Sequence, residues 1–379
     1  MRIVQERLAS TRFVLLLAVQ FVFGLGFSSF LLLPKYLAEA HAADSTLIGR
    51  VVAAGPVSAV LAIPLLAPYI DRVRRQYLLS ASALTLLLAS CGFSLLHELE
   101  PAVYVLRALQ GAAFTTFMST CATLVADFAP PARLGQALGL LGAANLATNA
   151  IGPGLAEPIA LGWGWRPVFL LSALCSGLAA LGAWVLAEPA RVPRPRVVQA
   201  RLLERRSLTL LYVSVVTGIC FGTVVTFYQP LALQLGMEKV GGLFIGYTLT
   251  ALGIRVLFGA WLDHFDRRRL ALCAACLYSL VVLATTGLQP GWLFPLGLAL
   301  GLAHGTLYPV LNALLIDGSE PDLRGALLTY YGGSFNIGMV VSTLGFGALA
   351  HGVGYRGVFV VAGVLSLSSI VCLVRLREA

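Results

Sequence analysis

The sequence predicts an all-α membrane protein whose twelve transmembrane helices form two similar six-helix bundles. Three observations carry that expectation. The 379 residues are 58% apolar and only 11% charged, with a mean hydropathy of +0.87, whereas soluble chains are about one quarter charged. The apolar residues run in long stretches and do not alternate with a period of two, which excludes a β-barrel. The second half also repeats landmarks of the first at a spacing of 190–192 residues. A soluble enzyme, a disordered chain and a nucleic-acid binder are excluded by composition alone, because too little polar surface exists to cover a soluble fold.

A helix needs about 20 mostly apolar residues to cross a bilayer. Stretches that satisfy this lie at roughly 12–37, 46–69, 76–96, 101–125, 135–159, 166–187, 208–234, 241–262, 269–288, 291–315, 325–349 and 355–374. The first is too long for a cleaved signal peptide, and a second span follows at once. The 26 basic residues fix the orientation: 19 fall on one set of flanks, five on the other, and Arg107 and Arg255 lie within spans. The positive-inside rule therefore places both termini in the cytoplasm, and the net charge of +9 is mostly this signal. Binding of anionic lipid is a further use for it. The seven cysteines have no metal-ligand spacing and read as small buried hydrophobes; no metal or cofactor is expected.

The repeat divides the chain. Asp71 before an arginine cluster is matched by Asp263, Asp127 by Asp317, Arg133 by Arg324, and Trp165-Arg166 by Tyr355-Arg356. The expected domains are 1–187 and 208–379, joined by a proline- and arginine-rich cytoplasmic linker at 188–207. Two similar six-helix halves are the architecture of a transporter that rocks about a mid-membrane site.

On these motifs the chain resembles the major facilitator superfamily over essentially its whole length. The stretch from Ala67 to Gln76 is similar to the family's loop motif between spans 2 and 3: Asp71, Arg72 and Arg75 match, while Ala67 and Arg74 replace two glycines. Its second copy holds Gly259, Asp263, Arg267 and Arg268, with His264 and Asp266 departing from the pattern. The resemblance implies a gating contact for these residues, with Arg255 as a partner of the motif's acids; loop anchoring is the plainer alternative. Arg107, Gln110 and Gly111 resemble the Arg-x-x-Gln-Gly motif of span 4. Gly139, Gly152 and Pro153 partly match a glycine-rich span 5 motif of drug and metabolite antiporters, where Thr148, Ala156 and Glu157 stand in place of glycines; small residues there favour close helix packing.

Few polar groups lie within spans, and those few are expected to point inward. Arg107 suits an anionic substrate group, a proton site or the organisation of helices. His304, Tyr308 and Asn312 share one face of span 10, and Asn145 and Asn149 one face of span 5. With Gln110, Tyr228, Tyr331 and Asn336 they make the candidate cavity, although gluing helices together is an equal alternative. No carboxylate stands clearly at mid-membrane in spans 1, 4, 7 or 10, so Glu157, His304 and Asp127 are the proton-coupling candidates, Asp127 being also suited to a structural role at a helix end. The function expected is proton-coupled efflux of small amphipathic organic molecules by alternating access. The alternative is an uptake symporter or uniporter for a sugar or organic anion. No enzyme motif occurs: the glycine-rich stretches lack the Lys-Ser/Thr of a phosphate loop. A monomer in the bacterial inner membrane is expected, with a small molecule, lipid and protons as partners and no nucleic acid.

Overall fold

In the computed structural model, the chain is described at residues 10–70, 73–96, 98, 101–130, 133–186, 204–258, 265–317, 319 and 323–376. Those residues are helical almost throughout: α1 (Thr11–Ser28), α2 (Leu33–His41), α3 (Ser45–Ile70), α4 (Arg75–Leu95), α5 (Ala102–Phe128), α6 (Leu134–Trp163) and α7 (Trp165–Val185). After the inter-domain stretch come α8 (Arg205–Gln234), α9 (Gly242–Gly253), α10 (Arg267–Ala284), α11 (Leu293–Ile316), α12 (Arg324–Val341) and α13 (Gly347–Arg375). Among the described residues, eight helices are long and apolar enough to cross a membrane, including Thr11–His41 as one and Arg324–Arg375 as one. The 27-residue α5 and the 30-residue α6 have the length but are not among the eight, and Gly242–Val256 is shorter.

The all-helical result follows from the bilayer, where backbone N–H and C=O groups must pair within each segment. Hydroxyls are satisfied the same way: Thr116 donates to the Ala112 carbonyl at 2.8 Å and Thr120 to that of Thr116 at 2.7 Å. Side-chain caps supply some free ends. Ser10 Oγ accepts from the Phe13 amide at 3.2 Å, Asp44 from Leu47 at 2.7 Å and Asp266 from Arg269 at 2.8 Å. Asp266 also sets a negative charge against an arginine-rich helix start, where the dipole disfavours cations.

The helices group into two compact units. The first comprises Met1–Leu31 with Ser58–Val192, the second Leu32–Val57 with Pro193–Ala379. The hairpin 32–57, which sequence alone places in the first bundle, thus packs within the second unit. Most of the linker expected at 188–207 lies outside the described residues.

Within the first unit, Phe13, Leu16, Phe23, Leu79, Leu86, Phe117, Leu124 and their neighbours form a continuous core, with Phe23 stacked on Phe117 at 3.7 Å. Spans 3 and 6 meet through paired hydroxyls of Ser90 and Ser172 at 2.9 Å. Their counterparts in the second unit, α10 and α13, meet through Ser279 and Ser366 at 2.7 Å. The seam between α9 and α11 is different. Gly297 and Gly301 present no side chain, and the backbone of Leu243 and Tyr247 occupies the space a Cβ would need, so these two helices approach more closely than larger residues permit.

The repeat is visible in backbone detail. Gly164, between α6 and α7, has φ +80° and ψ −179°, and Gly354, inside α13, has φ +72° and ψ +170°. Both turn a corner in a region open essentially to glycine only, 190 residues apart. Gly164→Ala and Gly354→Ala should each destabilise the protein by about 1–3 kcal/mol, read as a lowered melting temperature in detergent. An unchanged Tm in both would show that the corner relaxes without cost.

Candidate functional site

In the first unit the polar span residues converge on one seam. Gln20, Phe23 and Phe27 fall on one face of α1, and Arg107, Gln110, Phe114 and Phe117 on one face of α5. Phe27 stacks on Phe114 at 4.1 Å, and the Arg107 guanidinium carbon lies 5.8 Å from the centre of the Phe27 ring, a cation–π distance. Arg107 Nη1 donates to Gln110 Oε1 at 2.9 Å. On the same side, Gln20 Nε2 reaches Asn145 Oδ1 at 3.5 Å. Gln20 and Gln110 are fully buried. Yet Arg107 Nε, Gln110 Nε2 and Gln20 Oε1 find no hydrogen-bond partner among the described residues. Two donors and one acceptor are therefore held ready beside a phenylalanine stack. Leaving such groups unpaired costs about 1–3 kcal/mol each, which a ligand with acceptor oxygens would recover.

The second unit builds a different surface at the corresponding level. His304 is buried and ringed by Phe221 at 4.7 Å, Tyr308 at 5.5 Å, Phe335 at 5.7 Å, and Tyr247 and Tyr278 at 5.9 Å between ring centres. Tyr278 Oη lies 3.4 Å from His304 Nδ1. Tyr331 donates to the Tyr308 carbonyl at 3.2 Å, and Ser214 donates to the Tyr331 carbonyl at 3.1 Å. Phe221, Tyr308 and Phe335 are only half-buried and form the open side of the box. Repeat arithmetic shows how the two surfaces diverged: at a spacing of 190, Phe114 corresponds to His304 and Asn145 to Phe335, while Arg107 and Gln110 correspond to Gly297 and Leu300.

Other candidates occupy other settings. Tyr228 is fully buried and donates to the Val240 carbonyl at 3.1 Å. Asn312 and Asn336 each donate to the carbonyl one turn earlier, of Tyr308 at 3.1 Å and Gly332 at 3.0 Å. Asn149 is half-buried on α6, and Glu157 is buried near the end of that helix. A Cβ on Gly152 would run into the Ser28 side chain and Pro153 is buried, whereas a Cβ on Gly139 would meet no other part of the described residues within 4 Å. An apolar groove of about 590 Å³, lined by Leu84, Leu87, Leu174, Leu178 and Trp184 among others, contains none of these polar groups and suits lipid chains.

At the arginine-rich ends, Arg75 is ion-paired with Asp127, and Arg267 Nη1 holds both oxygens of Asp317 at 2.6 and 2.7 Å. The pairs are repeat equivalents. Arg268 donates to the Leu373 and Val374 carbonyls and so satisfies the end of α13. Arg255 is exposed in a π-helical turn, Ile254–Phe258, that continues α9. Asp71, Arg72, Gly259 and Asp263 lie outside the described residues.

The family's sequence profile matches residues 16–255 and 238–379, two overlapping segments that together take in almost the whole chain. The chain belongs to the major facilitator superfamily. It is a secondary transporter of that superfamily, a multi-pass helical membrane protein without enzymatic chemistry. Among its relatives, the multidrug resistance protein MdtG of Salmonella typhimurium (strain LT2) is 25% identical over 358 residues, covering 89% of this chain and 88% of that protein. The same protein from Salmonella paratyphi A matches to the same extent. Two solved structures share the fold. The nucleoside transporter NupG superposes with a TM-score of 0.80 at 12% identity, over 97% of this chain and all of that one. The human organic anion transporter MFSD10 gives 0.70 at 16% identity, over 95% and 99%.

Proposed function

We propose that the chain is a proton-coupled exporter of small amphipathic organic molecules, with twelve spans in two bundles, 1–187 and 208–379, working by alternating access. The observation that carries this reading is the seam of the first unit, where unpaired donors on Arg107 and Gln110 adjoin the Phe27–Phe114 stack. Such a surface recognises a molecule with an acceptor oxygen on an aromatic or aliphatic body. The aromatic box around His304, in the second unit, suits planar groups by stacking. His304, with Tyr278 against its ring nitrogen, is the leading proton-coupling group; Glu157 is the second. Asp127, already paired with Arg75, fits better as a structural or gating partner. The resemblance to multidrug resistance proteins supports efflux over uptake, and with it a monomer in the bacterial inner membrane with cytoplasmic termini.

The test is transport into inverted membrane vesicles with an imposed pH gradient, using ethidium, a sugar panel and aromatic carboxylates as probes. Accumulation of an aromatic carboxylate that collapses with a protonophore is expected. Absence of any substrate-dependent proton flux, together with sugar or anion counterflow without a gradient, would establish the uptake or uniport reading in its place.

A further inference from the structure

Beyond Tyr278 the second unit holds a small cavity between α8, α10, α11 and α13. Its wall includes Thr217, Cys220, Tyr278, Leu307, Ser366 and Ser369, all of them buried. About 10 Å³ is open to the centre of a water molecule, which is room for one. The repeat shows that the fold does not require this cavity. At the 192-residue spacing of Arg75 and Arg267, Tyr278 corresponds to Leu86; at 190, Leu307 corresponds to Phe117 and Ser369 to Ala179. Leu86, Phe117 and Ala179 all belong to the continuous apolar core of the first unit. One half closes this level with hydrocarbon, whereas the other has a shorter side chain at 307 and hydroxyls at 278 and 369.

The aliphatic hydroxyls on the wall have their hydrogens committed. Thr217 donates to the Val213 carbonyl at 2.8 Å, and Ser369 to the Ser366 carbonyl at 2.6 Å. Ser366 has a single hydrogen for the Gly363 carbonyl at 2.5 Å and Ser279 Oγ at 2.7 Å. All three can therefore take a further partner only as acceptors. A water among them donates both of its hydrogens and accepts one from another group. Tyr278 supplies that donor. The Cys220 thiol, on the cavity wall, lies within electrostatic range of the Tyr278 hydroxyl, which places Oη at the cavity's edge. Its 3.4 Å reach to His304 Nδ1 is long for a bond donated by a hydroxyl. With the Tyr278 hydrogen given to the water, Oη is left to accept, and His304 carries its own hydrogen on Nδ1.

We infer that this cavity binds one water molecule, which acts through Tyr278, a positioning residue, to hold neutral His304 in its Nδ1–H form. Nε2, across the ring from Tyr278, is then the basic nitrogen. The water site stands on geometry alone. Its use, a defined nitrogen that takes up the coupling proton, rests on the reading of His304 as the proton-coupling group. The other groups around the ring do not compete for Nδ1. Phe221 from α8 and Phe335 from α12 carry no proton, Tyr247 from α9 and Tyr308 on α11 meet the ring as aromatic neighbours, and Arg255, in the turn that continues α9, acts on it through charge.

The test needs no substrate, so its outcome is separate from that of the efflux reading. Histidine-selective ¹⁵N NMR of the purified protein, at a pH above the usual histidine range, reads the tautomer, and His304→Gln identifies the resonances. The Nδ1–H form is expected in the parent. Leu307→Phe restores the bulk found at Phe117, and Thr217→Val combined with Ser369→Ala removes two acceptors at nearly unchanged shape. Each, like Tyr278→Phe, should swing the ratio of the two forms about tenfold toward Nε2–H, equivalent to about 1.4 kcal/mol, as one hydrogen bond changes hands. Radiolytic footprinting reads the water itself, because a bound water yields hydroxyl radical in place. Cys220 should be oxidised well above Cys121, which is also fully buried but packed in the first unit's core, and Leu307→Phe should remove the difference. An Nε2–H form in the parent, a tautomer ratio unchanged in both cavity variants, or Cys220 as protected as Cys121 would overturn the inference.

Discussion

Arg107→Ala is expected to abolish transport while the protein still folds. A charge-assisted hydrogen bond from a guanidinium is worth about 1.5–3 kcal/mol, which corresponds to roughly a 10- to 150-fold loss in the rate at limiting substrate. Two further terms act in the same direction. The Arg107 charge lies over Phe27, which stacks on Phe114, so removing it loosens the aromatic wall. Gln110 Oε1 also loses its donor at 2.9 Å inside a fully buried side chain. Arg107→Lys keeps a cation but not the planar fork that reaches Gln110, and should recover only a minor part of the rate. The measurement is initial rate in inverted vesicles, normalised to folded protein by size-exclusion chromatography in detergent. Rates within about threefold of the parent in Arg107→Ala would remove this seam from the substrate path.

The repeated ion pair makes a second prediction, in which one chemistry meets two environments. Arg75 and Asp127 have side-chain exposures of 9% and 22%, whereas Arg267 and Asp317 have 39% and 40%. Removing one partner of a buried pair strands the other charge and costs up to about 3–5 kcal/mol; exposed pairs measure about 0.2–1 kcal/mol. Asp127→Asn should therefore lower the melting temperature in detergent several times more than Asp317→Asn. A double-mutant cycle of Asp127→Asn with Arg75→Ala should recover part of the loss, because the stranded guanidinium is then gone. Equal shifts at the two sites would mean that solvent reaches both pairs alike.

Some of this was legible in the residues. The two ion pairs and the two glycine corners keep the repeat spacing, Asp127/Asp317 and Gly164/Gly354 at 190 residues and Arg75/Arg267 at 192. These positions serve backbone and helix-end needs common to both halves, so both copies kept the same residue types. The mid-membrane positions diverged instead. Phe114 and His304 correspond by offset yet face different neighbours, so periodicity marks the position without saying what surrounds it. Phe221 and Phe335 carried no signal among many apolar residues, and their place around His304 depends on three separate helices. Tyr228 and Asn312, candidates by polarity, turned out to spend their hydrogen bonds on nearby carbonyls.

Composition, span length and the halfway repeat, all one-dimensional quantities, determined by themselves that this chain is a helical membrane protein in two similar halves, and the motif resemblance pointed to the transporter family. Lipid enforces that outcome, because it leaves the backbone no partners outside its own segment. The tertiary structure alone decided which polar groups meet. Lys35 reads in sequence as one more charge at the outer end of the first span, and only the 3₁₀ break at Ser29–Leu32 turns it into a fully buried lysine bound to Gln229 and Glu238. Its burial depends on residues 194 and 203 positions away, and local periodicity holds no information about contacts made over that distance.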